Sequence, residues 1–234
     1  MKLPISQRLL CCAALVPQGA RVADIGCDHG YLGIELLKRG QAEFVHACDL
    51  RPMPLQSAVK NADRFGVADK MRFSCADGLS AVRPLEINTV VIAGMGGELI
   101  AAILEAAPWL QKEGYSLILQ PQSQSHELRL RLHKLGFSIK EERLVEENGF
   151  IYSILLARFG VESELTEGEE YCSQALYGSG DPLLSKYLSG IEKALSIRIE
   201  GILASSDPEG KGLAHWQKTR EIIAKMKEEL LCRK

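Results

Sequence analysis

The sequence lacks an excess of charge of either sign: 28 Lys and Arg face 30 Asp and Glu over 234 residues, a formal net charge of −2. Divided at Gly160, it carries 18 basic and 17 acidic residues before that point, and 10 basic and 13 acidic after it. A domain-wide basic field is excluded, so any surface for a polyanion has to be a local patch. C-x-x-C pairs are also lacking. The seven cysteines (Cys11, Cys12, Cys27, Cys48, Cys75, Cys172, Cys232) are odd in number and mostly sit in apolar runs. That excludes a disulfide framework and points to reduced, buried thiols in a cytoplasmic protein. No ligand spacing joins Cys27 to Cys48 or Cys75, and no metal is expected. The apolar run from Leu9 to Val16, bounded by Arg8 and Pro17, is too short to cross a bilayer and reads as an amphipathic helix. There is no internal repeat and no low-complexity tract.

What is present is an alternation of short apolar runs with helical patterns, the signature of βαβ units around a parallel sheet. Strands are expected at Arg21–Ile25, Phe44–Cys48, Met71–Cys75, Thr89–Ala93 and Ser116–Leu119. Helices are expected at Tyr31–Lys38, Pro54–Phe65, Glu98–Ala106 and His126–Lys134. Two further strand-like runs, Phe137–Leu144 and Phe150–Arg158, are joined by Glu146-Glu147-Asn148-Gly149, a hairpin signal. Five crossover strands closed by a hairpin match the class I methyltransferase variant of the doubly wound α/β fold.

The character changes after residue 160. An acidic link (Glu162, Glu164, Glu167, Glu169, Glu170) leads into two long apolar stripes. One holds Leu184, Leu188, Ile191, Leu195 and Ile202, the other Leu213, Trp216, Ile223, Met226 and Leu230. Between them lies Ser205-Ser206-Asp207-Pro208-Glu209-Gly210, with Asp207 as candidate N-cap and Pro208 at the first helical position. The expectation is residues 1–160 as a Rossmann-like domain and 161–234 as a coiled-coil-like helical hairpin.

The chemistry-bearing motif is Asp24-Ile25-Gly26-Cys27-Asp28-His29-Gly30, between a strand and a helix. Gly26 permits a tight turn, and Gly30 close packing of the helix, so that a cofactor can approach a helix N-terminus. The third glycine of a dinucleotide fingerprint is missing, and Asp28 in the loop would repel a pyrophosphate. It suits the ammonium of a methionine-like ligand. Asp49 follows 19 residues after Gly30, where a carboxylate can accept both ribose hydroxyls of an adenosine, with Leu50 beside it. Asp77-Gly78 ends the third strand, where it can read the adenine amino group. Each of these carboxylates could otherwise be a helix cap or a solvated loop end.

Gly94-Met95-Gly96-Gly97 closes the fourth strand, where methyltransferases meet the target atom. The Asp/Asn-Pro-Pro-aromatic clamp used on exocyclic amines is missing, and so is the cysteine used on pyrimidine carbon. What remains fits attack by a ring nitrogen. His29 is a further candidate for the substrate. His126 and His133 read as surface residues and Trp216 as hairpin core, while Lys218, Lys225, Lys227, Arg233 and Lys234 are the basic residues available to phosphate in the appendage.

In these residues the chain resembles the bacterial tRNA (adenine-22-N1)-methyltransferases. The likeness rests on VADIGCDHGYLGI (Val22 to Ile34), PLQSAVKNADRFG (Pro54 to Gly66), VVIAGMGGELIAAIL (Val90 to Leu104), LILQPQ (Leu117 to Gln122) and RLVEENGFIYSIL (Arg143 to Leu155). IAGMGG is specific, because ordinary methyltransferases lack it. Two positions depart from the family pattern: Gln122 stands where asparagine is common, and Met53 where glycine precedes PLQSA. The resemblance implies methyl transfer from S-adenosylmethionine to N1 of an adenine in the D arm of tRNA. Asp24, Gly26, Asp28, Gly30, Asp49 and Asp77 would hold the cofactor, and Gly94, Met95 and Gly96 would shape the pocket beside the methyl group. Positive charge moves from sulfur to the base, so a nearby carboxylate should help, with Asp28 first and His29 beside it.

An enzyme of this kind should expose a basic strip near the cofactor mouth, for which Arg8, Arg51 and Arg129 are the candidates, with Gln122 as a further substrate contact. A monomer without a membrane association or protein partner is expected. The alternatives are a methyltransferase for a small molecule or protein with the hairpin as a partner arm, a nicotinamide dehydrogenase, and a binding module without catalysis.

Overall fold

The computed structural model describes residues 3–160, 164–205, 207 and 212–232. The chain forms two compact units, Met1–Ser163 and Glu164–Lys234. In the first, α1 (Gln7–Leu15), α2 (Tyr31–Lys38), α3 (Pro52–Phe65), α4 (Gly97–Glu105) and α5 (Ser125–Lys134) flank one sheet. Its strands are β1 (Ala20–Ile25), β2 (Ala42–Asp49), β3 (Met71–Cys75), β4 (Thr89–Gly96), β5 (Ser116–Ser123), β6 (Phe137–Glu147) and β7 (Phe150–Phe159). Their order is β3-β2-β1-β4-β5-β7-β6. The first five are parallel, and β7 and β6 are added antiparallel. This is the Rossmann-like doubly wound sheet closed by a hairpin.

The central strands are largely apolar because helices cover both faces. Val22, Val45, Val91 and Ile118 pack on one side with Leu32, Ala58 and Ala62. Val90, Ile92, Leu117 and Leu119 pack on the other with Ile100, Leu104 and Leu128. Strand order reverses between β1 and β4, so a crevice opens at the carboxyl ends of those strands.

Two of the parallel strands run several residues past their expected ends, β4 to Gly96 and β5 to Ser123. The register skips Gly94 and resumes with Met95 opposite Pro121, so Gly94 is an extra residue of a β-bulge at φ +82°. Pro121, which cannot donate to a ladder, is tolerated there. Gly97 opens α4 where a Cβ would lie 2.3 Å from the Gln124 carbonyl oxygen, so the helix rests directly on the turn after β5. The β6–β7 turn places Asn148 and Gly149 at φ +52° and +80°, as a type I′ turn requires.

Arg129 does not face solvent. Its side chain is fully buried and paired with Glu142, with a further hydrogen bond from Nη2 to Ser153 Oγ at 3.3 Å. It joins α5 to β6 and β7, and is removed from the expected basic strip. An apolar position read from helix periodicity would have placed it inward; its charge suggested otherwise.

In the second unit, α6 (Gln174–Tyr177), capped by Ser173, precedes α7 (Leu184–Leu203) and α8 (Leu213–Cys232). Ile199 and Ile202 near the end of α7 pack with Leu213 and Trp216 at the start of α8, while Glu192 pairs with Lys227, so the helices are antiparallel. Arg198 lies 3.7 Å over the Trp216 ring. The described part of α8 begins at Leu213, which leaves Asp207 outside the helix as an exposed residue. Glu162, Ser206, Pro208, Glu209, Gly210, Arg233 and Lys234 lie outside the described residues.

Candidate functional site

The crevice is a cleft of about 490 Å³ at the carboxyl ends of β1, β2, β4 and β5, reached also by the start of α1 and the segment after β3. The carboxylates expected to converge, Asp24, Asp28, Asp49 and Asp77, all line it. Gly26 turns sharply at φ +71°, in the left-handed region that favours glycine, and a Cβ there would also displace the flexible end of Met95. Its backbone N–H and that of Cys27 both donate to the Cys48 carbonyl, tying the β1 turn to β2.

Asp49 is buried and preset. Its Oδ2 accepts from Asp28 N at 3.1 Å and its Oδ1 from Arg51 N at 2.9 Å. Each carboxylate oxygen has two acceptor directions, so each retains one for a ligand hydroxyl. Asp28 itself adopts φ +49°, an uncommon conformation for a residue with a side chain, and its carboxylate is 58% exposed. Leu50, 66% exposed, offers an apolar face beside Asp49, and Gly78 follows Asp77 at φ +51°.

Asp24 is different. It is 4% exposed, and its Oδ2 has no hydrogen-bond partner among the described residues. Burial raises its carboxyl to about 7, against the lowering effect of the Gly33 backbone N–H, and Asp49 adds to the rise. Burial also pushes up the thiols of Cys27 and Cys48, the latter to about 12, so neither supplies a thiolate.

Not every expected residue lies in the cleft. Gly30 and Gly96 do not line it, nor does His29. Gly30 caps α2 in the left-handed region, and its missing Cβ makes room for Ala58 of α3 at 3.0 Å rather than for a strand. Close helix–strand packing falls instead to Gly33, where a Cβ would meet Val45 Cγ1 at 2.8 Å. His29 stacks on Tyr31, and its carbonyl accepts from Asn61 Nδ2. Of the basic candidates, Arg51 is exposed at the mouth, with 71% of its side chain accessible. Arg8 is drawn into the cleft wall at 22%. Gln122 lines the cleft at the exposed end of β5.

Sequence reading missed Gln120. It is 1% exposed, and its amide oxygen accepts from Gly94 N at 3.1 Å and from Arg8 Nη1 at 3.4 Å. A polar residue inside the apolar run of β5 was the available signal.

The family model described as a methyltransferase domain matches residues 5–155. A tRNA (adenine(22)-N(1))-methyltransferase of Bacillus subtilis is 33% identical over 185 residues, covering 79% of this chain and 76% of that protein. The chain belongs to this methyltransferase family. Solved structures of the family extend the likeness to both units. The B. subtilis M1A22 tRNA methyltransferase superposes with TM-score 0.87 at 27% identity, over 97% of this chain and 100% of that one. A Streptococcus pneumoniae protein assigned to the same tRNA (m1A22) activity, solved with S-adenosyl-L-methionine, has TM-score 0.83 at 32% identity, over 95% and 99%.

The cleft of this family member fits that ligand on its own geometry. Asp49 has acceptor capacity for two hydroxyls, Gly26 leaves room for close approach, and the orphaned oxygen of Asp24 calls for a donor. Among the described residues no group of His, Cys, Asp and Glu could hold a metal ion.

Proposed function

We propose that this protein transfers a methyl group from S-adenosylmethionine to N1 of adenine 22 in the D arm of tRNA. The observation that carries the reading is a methyl-donor cleft whose acceptor side is built from the IAGMGG bulge instead of a clamp for exocyclic amines or a cysteine nucleophile. When bound, S-adenosylmethionine supplies an electrophilic methyl on a sulfonium. Asp49 would accept the ribose hydroxyls, Asp77 and the Gly78 backbone would read the adenine edge, and Leu50 would cover its face. Asp24 would receive the ammonium more tightly than Asp28, because the charge of Asp24 is not screened by water.

Gly94 and Met95 border the space where donor and acceptor meet. Adenine N1 owns an in-plane lone pair, so attack requires alignment and no covalent intermediate. Gln122, beside Gly94, is suited to accept from the adenine N6 amino group and so present N1. Positive charge arrives on the base, and the Asp28 carboxylate offsets it, to an extent reduced by its exposure. The base must leave its stack first, at a cost of a few kcal/mol. Arg51, exposed at the mouth, would be the basic residue to meet phosphate.

Action as a monomer is part of this reading, and no helix among the described residues is long and apolar enough to cross a membrane. A tRNA substrate supports a cytoplasmic location. The test is incubation with methyl-labelled cofactor and an unmodified tRNA transcript, followed by nucleoside digestion. The expected product is 1-methyladenosine from position 22. Label on another nucleoside, or on a protein, would overturn the reading.

A further inference from the structure

Building on S-adenosylmethionine as the methyl donor, we propose that Arg8 is the anchor for the carboxylate of the donor's amino-acid end. The sheet order gives the cleft two chemically distinct sides. Toward β2 and β3 lie Asp49, Leu50 and Asp77, suited to an adenosine. Toward β4 and β5 lie Gly94 and Gln120, with Arg8 of α1 bonded to Gln120. Asp24, on β1 between the two sides, lines the same cleft as Arg8. A methionine end is a zwitterion, and its two charges need partners of opposite sign near one another. Asp24 serves the ammonium. On that side of the cleft the cation among the described lining residues is Arg8, while Arg51 lies 3.7 Å from Asp49 on the other side.

Arg8 is held as an anion receptor. Its Nε donates to Glu147 Oε2 at 2.5 Å, and its guanidinium lies 4.7 Å over the Tyr152 ring. Glu147 is fixed in turn, its Oε1 accepting the Gln7 backbone N–H at 2.9 Å at the start of α1. These contacts use one edge and one face of the guanidinium. Nη2 makes no hydrogen bond among the described residues, and Nη1 has one to Gln120. The Nη1–Nη2 end therefore remains available, and that fork matches a carboxylate in two parallel hydrogen bonds. Because Gln120 also holds Gly94 N–H, the same network sets the carboxylate anchor relative to the loop where the methyl group passes to the base.

Calorimetry with three ligands tests the assignment: S-adenosylhomocysteine, decarboxylated S-adenosylmethionine, which keeps the ammonium but has no carboxylate, and 5′-methylthioadenosine, which lacks both. Arg8→Ala should weaken the first by roughly 10- to 100-fold, the range of a charged hydrogen-bonded pair. The other two should change by less than about 2-fold on the same principle. Arg8→Lys, which keeps the charge and loses the fork, should fall between. Equal losses for all three ligands would reduce Arg8 to a support of the cleft wall and overturn the proposal. So would an unchanged affinity for S-adenosylhomocysteine, especially with weaker tRNA binding and a shallower salt dependence, which would make Arg8 an RNA contact. If the wild-type protein bound none of the three, the methyl-donor reading itself would fall.

Discussion

At the scale of single residues, Asp24 and Asp49 are two carboxylates in one cleft with opposite provisions. Asp49 has its charge met by the backbone N–H groups of Asp28 and Arg51, and Asp24 is left partly unmet in the interior. Asp49→Ala should leave the fold intact and weaken S-adenosylhomocysteine binding by roughly 1.5–3 kcal/mol, the value of hydrogen bonds to a charged group. An unchanged dissociation constant in calorimetry would remove Asp49 from the site. Asp24 predicts a pH effect. Its carboxyl is raised from 3.8 to about 7 in the folded ligand-free protein, so between those values the folded state holds a proton that the unfolded chain has released. The associated stability is fully present below the lower value and is lost as pH rises through about 7, by about 1.4 kcal/mol per pH unit. Asp24→Asn should flatten that part of the profile in denaturant titrations between pH 4 and 8. Saturating ligand should flatten it in the wild type, because an ammonium favours the ionised form. A wild-type profile as flat as that of the variant would contradict the assignment.

At the scale of elements, most of the sheet was legible because its strands are apolar runs bounded by loop residues, and β3 and α2 begin and end where periodicity placed them. The ends of β4 and β5 were not legible. Gly94 and Pro121 look like strand breakers, yet together they form a bulge that carries the backbone on toward the cleft. The site was legible where one residue acts locally, as at Gly26 and Asp49. It was not where residues act across the sheet: Gln120, Arg8 and Glu147 are distant in sequence and meet only when β5, α1 and β6 assemble. Charge misled at Arg129, since no local pattern reveals that Glu142 waits opposite. Arg129→Met should therefore destabilise the first unit by about 3–5 kcal/mol by stranding Glu142 in the core. The salt dependence of tRNA binding should not change, whereas a lowered slope in filter binding would return Arg129 to the RNA surface.

At the scale of the whole molecule, the first unit contains a complete donor cleft, and the second adds a helical hairpin whose apolar stripes are used on each other. The hairpin is not strongly basic, and Lys218 and Lys227 already pair with Glu167 and Glu192. The Lys218–Glu167 pair is exposed, and a pair of that kind is weak and exchanges readily for phosphate, whereas Lys227–Glu192 is half-buried, so few contacts remain possible and there is no permanent basic face. Truncation after Phe159 should leave a folded domain with near-normal affinity for S-adenosylhomocysteine. It should lose tRNA methylation at physiological salt. Methylation by the truncated domain at the full rate would show that the hairpin serves structure or another partner. Delivery of methyl to one ring nitrogen of one adenine is the finest selectivity proposed for the cleft. It is tested most directly with a tRNA whose adenosine 22 is replaced by 1-deazaadenosine, which keeps the N6 amino group and puts carbon where N1 stood. This tRNA should bind but accept no label, while the unmodified transcript is methylated to completion; label incorporated into the 1-deaza tRNA would contradict methylation at N1.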